Sequence, residues 1–226
     1  MKITKHGLCL IILTLFSIQI FSQSNYKITE GINPDLYNGT IYNYGVSGNI
    51  KGHQFFEDEI FKIGSITIND TVHNNLLLNY DIYNQKILLK YIHKERTVII
   101  SIPKEKVKEF SIQDNRFIVL NKRAWDYSIY ELIGKSNHQI LLGWEKNLEL
   151  SDKSEAANYA FTKAKRTNYL YYRSEINEIK NKKDFLSLFI ESEAQLIKKY
   201  MKQNKIRIKH DSQEKLNALI NYCNNI

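Results

Sequence analysis

Beyond residue 22 the sequence offers one thiol, five imidazoles, one tight group of carboxylates and one run of cations. A cysteine nucleophile needs an accessible, electropositive setting and a base to take its proton. Cys223 falls instead on the apolar stripe of a predicted final helix, which predicts a buried structural thiol. The histidines His53, His73, His93, His138 and His210 form no HExxH pair and lie beside no cysteine pair, so their spacing asks for no metal. Solvated positions are expected for all five, four near predicted turns or strand ends and one before a helix cap. Glu57-Asp58-Glu59 could do acid–base work only if their environments separated their proton affinities. Consecutive residues point apart in a strand or turn, so a solvated loop or a weak cation site is expected. Gly-rich phosphate loops and a GxSxG elbow are absent from the sequence. No catalytic residue, metal ligand or cofactor is therefore nominated.

The cations are Lys198, Lys199, Lys202, Lys205, Arg207 and Lys209. As a contact surface they suit anionic lipid, lipopolysaccharide or acidic polysaccharide, each charge near a membrane surface contributing ~1 kcal/mol. As structure alone, Lys198, Lys199 and Lys202 occupy a helix C-terminus, where cations are mildly favoured. The apolar stripe of that helix is expected to face inward, leaving little to insert into a bilayer. Tyrosine is abundant, at fifteen residues including Tyr169, Tyr171 and Tyr172. Aromatic rings stack on sugars, but they are also ordinary strand formers, and packing is the expected role.

The elements that must position these groups follow from periodicity. From Ile60 to Arg173 apolar residues alternate with polar ones, the signature of half-buried strands. In Leu76–Tyr83, Leu76, Leu78, Tyr80 and Ile82 share one face. A two-residue turn at Asn84-Gln85 would put Ile82 opposite Ile87, Tyr80 opposite Leu89 and Leu78 opposite Tyr91, with Asn79 opposite Lys90 on a mostly polar face. Gly64–Ile68 reaches a turn at Asn69-Asp70. After His93–Arg96, a strand carrying Val98, Ile100 and Ile102 is ended by Pro103. Phe117–Leu120, Tyr127–Ile133 and His138–Trp144 follow, the last two joined through Gly134-Lys135-Ser136-Asn137. Tyr159–Lys163 and Asn168–Arg173 are expected to pair. Short strands with hairpin connections predict a mainly β, α+β fold, an antiparallel sheet curled into a barrel or sandwich.

Near residue 182 the period changes to 3.6. Leu186, Phe189, Ile190, Ile197 and Met201 fall along one stripe, with an interruption expected near Ser192. Asp211, with Glu214 three residues on, is expected to cap a last helix whose inner face is Leu216, Leu219, Ile220 and Cys223. Helices this short need tertiary packing and should dock on the sheet or on each other.

The first 22 residues have the layout of a cleavable secretory signal. Lys2 and Lys5 precede an apolar run from Leu8 to Phe21, and Ser22 supplies a small residue before Gln23. The run is too short for the roughly 20 residues of a permanent membrane span. Cys9 precedes the run, whereas a lipid-bearing cysteine would follow it. The expected organisation is thus a signal at 1–22, an antiparallel β domain at 23–180 and a basic helical segment at 181–226 packed on it, with no transmembrane helix after cleavage. Residues 180–226 hold ten Lys or Arg against five Asp or Glu, in a chain whose net charge is +8. The basic character thus sits in the tail and points to anionic surfaces outside the cytoplasm. An exported chain without a nucleic-acid motif makes nucleic acid a poor partner.

Several segments together resemble a group of exported Bacteroidota proteins with no assigned activity. They are Phe21-Ser22-Gln23, Tyr80-Asp81-Ile82-Tyr83, Val107-Lys108-Glu109-Phe110, Tyr130-Glu131-Leu132-Ile133-Gly134 and Leu142-Gly143-Trp144-Glu145-Lys146, with the Lys-rich helical tail. The resemblance implies a β-rich envelope or secreted protein and supplies no active site. Asp70-Thr71-Val72 also resembles the short O-glycosylation acceptor pattern of exported proteins in that group. The expected function is a non-catalytic binding or envelope-interaction domain at the periplasm, outer-membrane surface or exterior. The alternative is an envelope hydrolase whose site is assembled only by the fold.

Overall fold

The computed structural model describes residues 33–44, 49–120, 128–151 and 158–226. The expected signal at 1–22 lies outside them, as does Tyr127. A single helical turn, α1 (Pro34–Tyr37), is capped by Asn33, whose side chain accepts from the Asp35 N–H at 3.0 Å. Two short strands, β1 (Thr40–Ile41) and β2 (Ile50–Lys51), lead into the main run. That run is β3 (Lys62–Ile68), β4 (Thr71–Asp81), β5 (Lys86–His93), β6 (Arg96–Ile102), β7 (Val107–Ile112), β8 (Asn115–Val119), β9 (Ile129–Ile133) and β10 (Gln139–Glu145). Then come β11 (Leu148–Leu150), β12 (Tyr159–Phe161), β13 (Lys165–Tyr172) and β14 (Glu175–Glu178).

Eleven strands form one antiparallel sheet in the order β1-β6-β5-β4-β3-β7-β8-β9-β10-β13-β14. The sheet is open, with β1 and β14 as its terminal strands, so the curled architecture is not a closed barrel. One face of β3–β9 lines a single core in which Ile66, Leu78, Tyr80, Ile87 and Phe117 are fully buried. Besides α1, Phe56 and Ile82, the buried members of that core all lie on strands, so the sheet covers it by curling on itself. Edge-to-face and stacked contacts among Tyr80, Phe110, Phe117, Phe56 and Trp144 fill its centre.

Asn69-Asp70 makes the expected two-residue turn, both residues having positive φ (48° and 61°). Lys94-Glu95 repeats this geometry with φ of 46° and 63°. The β4–β5 hairpin differs from expectation by two residues: Tyr80 pairs with Ile87 and Leu78 with Leu89, and Asn79 faces Leu88. The reason is Asp81, whose Oδ1 accepts from the Tyr83 and Asn84 N–H groups at 3.1 and 2.8 Å and so widens the turn to Ile82–Gln85. An even shift keeps every side chain on its face, which is why the core residues are unaffected. The supposedly polar face is buried too, since Asn79 and Asp81 are enclosed and Leu88 packs with Tyr42 and Phe55.

The expected pairing of Tyr159–Lys163 with Asn168–Arg173 does not occur. Strand β12 joins β11 and, in parallel, β2 in a separate three-stranded sheet. Strand β13 pairs with β10 and β14 instead, which gives it partners along both edges and places Leu170 in the core below the helices.

The helices are α2 (Lys182–Leu186), α3 (Glu191–Gln203) and α4 (Gln213–Cys223). Ile197 and Met201 of α3 and Leu216, Leu219, Ile220 and Cys223 of α4 close a second core against Ile133, Ile140, Leu142 and Leu170 of the sheet. Ser212, not Asp211, caps α4, its hydroxyl accepting from the Lys215 N–H at 3.5 Å. Asp211 is drawn back to accept from the Arg207 N–H, closing the turn before the helix. Gly134, in the β9–β10 loop, has φ +96°, and a Cβ there would lie 2.8 Å from Ile220 Cγ2. Gly134→Ala is expected to lower stability by about 2 kcal/mol, from backbone strain and displacement of α4. Urea denaturation checks this through a lower midpoint at unchanged slope.

Candidate functional site: the basic face of the helices

The segment Lys205–Lys209 alternates, and the fold uses that alternation. Ile206 and Ile208 are buried in the helical core, which turns Lys205, Arg207 and Lys209 outward. Side chains from β13 fix the backbone that presents them. Arg166 Nη2 donates to the carbonyls of Ile208 and Lys209 at 3.1 and 3.0 Å, and Nη1 donates to that of Asp211 at 3.1 Å. Asn168 Nδ2 donates to the Ile208 carbonyl at 3.0 Å. Four charge-assisted or amide bonds thus hold a short irregular segment that its two buried isoleucines also anchor.

Arg207 and Lys209 line a groove of 310 Å³ together with Lys180 and Lys182. Lys180 has a partner in Glu178 at 3.5 Å. Lys182, Arg207 and Lys209 make no ion pair among the described residues. A second groove of 570 Å³ lies between α2 and α3, where Lys182, Lys183 and Lys198 surround Leu186 and Ala194. Lys182 borders both grooves.

All six expected contact residues are exposed, but they do not form one patch. Arg207 and Lys209 meet at the first groove and Lys198 at the second. Lys199 sits roughly 200° around α3 from the buried Ile197 and faces elsewhere. Lys180, Lys182 and Lys183, which reasoning from the sequence passed over, complete the basic face. One signal was available: Lys182 opens α2, the end where a helix disfavours cations, so helix stability does not explain it.

Two buried carboxylates are the other groups of chemical interest. Glu131 lies in β9 on the same face as Ile129 and Ile133 and is 1% exposed. It accepts from Trp144 Nε1 at 2.7 Å and from the Gln213 carboxamide, which also donates to Asn115 Oδ1 at 2.9 Å. Burial pushes its carboxyl up to about 7, against the opposing pull of the Trp144 hydrogen bond and the Arg166 charge. Asp81 accepts from Tyr42 Oη at 2.6 Å, and Gln54 Nε2 donates to the same phenol at 3.0 Å. Burial, reinforced by that bond to Asp81, raises the Tyr42 phenol above its usual range. Nearby, Lys146 is buried and donates to the His53 carbonyl at 2.8 Å, and burial lowers its ammonium from the usual lysine range. These networks tie strands, turns and helix starts together.

The remaining expectations resolve residue by residue. Burial pushes the Cys223 thiol up to about 12, the opposite of what a nucleophile needs. His53, His73 and His138 are half-buried rather than solvated, whereas His93 and His210 are exposed. His53 Nδ1 accepts from the Phe55 N–H at 3.2 Å. His138 stacks on Tyr172 at 4.2 Å, and its backbone N–H donates to Asn224 Oδ1 at 2.8 Å. The cation beside Glu57-Asp58-Glu59 is a lysine: Lys62 Nζ lies 2.7 Å from Glu57 and 3.0 Å from Asp58. Among the described residues no three His, Cys, Asp or Glu side chains gather to hold a metal. No helix among them is long and apolar enough to cross a membrane. Comparison of the chain with family models, with curated proteins and with solved structures finds no match.

Proposed function

We propose that this is a non-catalytic binding module of the bacterial envelope, exported and resembling the Bacteroidota group described above, which holds anionic envelope lipid or polysaccharide at the basic face of its C-terminal helices. The observation that carries the reading is the convergence of Lys182, Arg207 and Lys209 on one groove with no acidic partner among the described residues. Cations of one sign gathered in this way repel one another, and an external anion relieves that repulsion. The backbone that carries Arg207 and Lys209 is also braced by Arg166 and Asn168, so binding has only the side chains left to order there.

Co-sedimentation of the purified protein with isolated cell envelopes tests the reading. Retention should be strong at low salt and fall steeply as the Debye length shrinks from about 30 Å at 0.01 M to about 8 Å at 0.15 M. Equal retention at both salt concentrations contradicts it.

A further inference from the structure

We infer that the 570 Å³ groove between α2 and α3 holds the acyl chain of a single-chain anionic amphiphile, with its phosphate among Lys182, Lys183 and Lys198; this rests on the reading of the basic face given above. The first groove suits a charged group alone, because its apolar members Ile179, Met201, Ile206 and Ile208 are all buried in the core. The second is built differently. Leu186 and Ala194 are only half-buried there, so apolar surface is open to solvent between two helices.

Three lysines without an ion-pair partner among the described residues stand around that apolar surface. The one carboxylate at the groove, Glu191, accepts from the Gln195 carboxamide at 3.0 Å and leaves the rim with a net positive charge. An apolar interior inside a cationic rim is complementary to one class of molecule, an alkyl chain ending in an anion. The volume lies within the range of about 300–1,000 Å³ typical of small-molecule sites. A neutral lipid leaves the lysines unpaired, and a hydrophilic anion leaves Leu186 and Ala194 wet. Each methylene transferred from water into such a groove strengthens binding about fourfold.

Calorimetric titration of the purified protein tests this with three probes below their micelle concentrations: lysophosphatidylglycerol, glycerol 3-phosphate and lysophosphatidylcholine. Lysophosphatidylglycerol should bind at least tenfold more tightly than either of the others. Ala194→Leu, which fills the groove with a good helix former, should weaken it at least tenfold at unchanged thermal unfolding. Lys198→Gln should weaken it about fivefold, and Lys199→Gln should leave it unchanged. Glycerol 3-phosphate binding as tightly overturns the acyl chain, and lysophosphatidylcholine binding as tightly overturns the role of the lysines. Binding of alginate but of no lysolipid also overturns this inference while leaving the envelope-binding reading in place. That broader reading fails separately, through salt-independent retention on envelopes.

Discussion

Asp81→Ala should destabilise the protein by about 3–5 kcal/mol, the cost of leaving several buried donors without their acceptor. Asp81 is fully buried, and its two oxygens satisfy four donors: the Tyr83 and Asn84 N–H groups, Asn84 Nδ2 at 2.7 Å and the Tyr42 hydroxyl at 2.6 Å. Removing the carboxylate strands the Tyr42 phenol against Leu88 and Phe55 and releases the turn that sets the β4–β5 register. Asp81→Asn keeps an acceptor but brings an NH₂ group towards donors, so it should fall between the two. Urea denaturation of the three proteins gives the ordering. A loss below about 1 kcal/mol for the alanine variant would show that water replaces the carboxylate and that the network is not what fixes the turn.

The second large effect is a pH dependence centred on Glu131. Its carboxyl is raised from the ordinary 4.5 to about 7 because it is enclosed between the sheet and the start of α4. Below the unfolded value both states carry the proton and the group contributes its full share of stability. Between the two values the unfolded chain ionises while the folded chain keeps its proton, so stability falls as pH rises. By pH 8 the loss should reach about 3 kcal/mol. The groups that face Glu131 are the Trp144 indole on β10, Gln213 on α4, Arg166 on β13, Asn115 on β8 and Glu57 before β3. Glu131→Gln mimics the neutral acid, and its unfolding free energy should lose most of this slope between pH 5 and 8. An unchanged slope in the variant would place the titrating group elsewhere.

Much of the sheet was legible because alternation is a local signal that each strand carries by itself. The β3–β4 turn could be read from Asn69-Asp70, whose side chains tolerate positive φ. The β4–β5 register could not, because the turn is shaped by a side chain, Asp81, that alternation alone marks as outward-facing. Pairing across the chain was harder still. Strands β12 and β13 are neighbours in sequence, yet they belong to different sheets because β13 pairs with β10, twenty residues and more upstream.

The buried glutamate left a trace in the sequence, since Glu131 shares its parity with the buried Ile129 and Ile133. The basic face was half visible. A run of cations is obvious in sequence, but helix rotation sends Lys199 away and chain reversal brings Lys182 in from twenty-five residues before Arg207. Convergence of that kind depends on the helices packing on β9, β10 and β13, which no local pattern reports.

The claim that the Lys182–Arg207–Lys209 groove holds envelope anions is tested most directly by changing its charge without touching the core. All three side chains are exposed, so Lys182→Gln, Arg207→Gln and Lys209→Gln combined should leave the urea midpoint in place. In co-sedimentation with isolated envelopes at low salt, the triple variant should lose roughly two orders of magnitude in affinity, at about fivefold per charge, while Lys199→Gln stays near wild type. If the triple variant is retained as strongly as wild type, or if Lys199→Gln weakens retention as much, the groove is not the contact and the account is wrong.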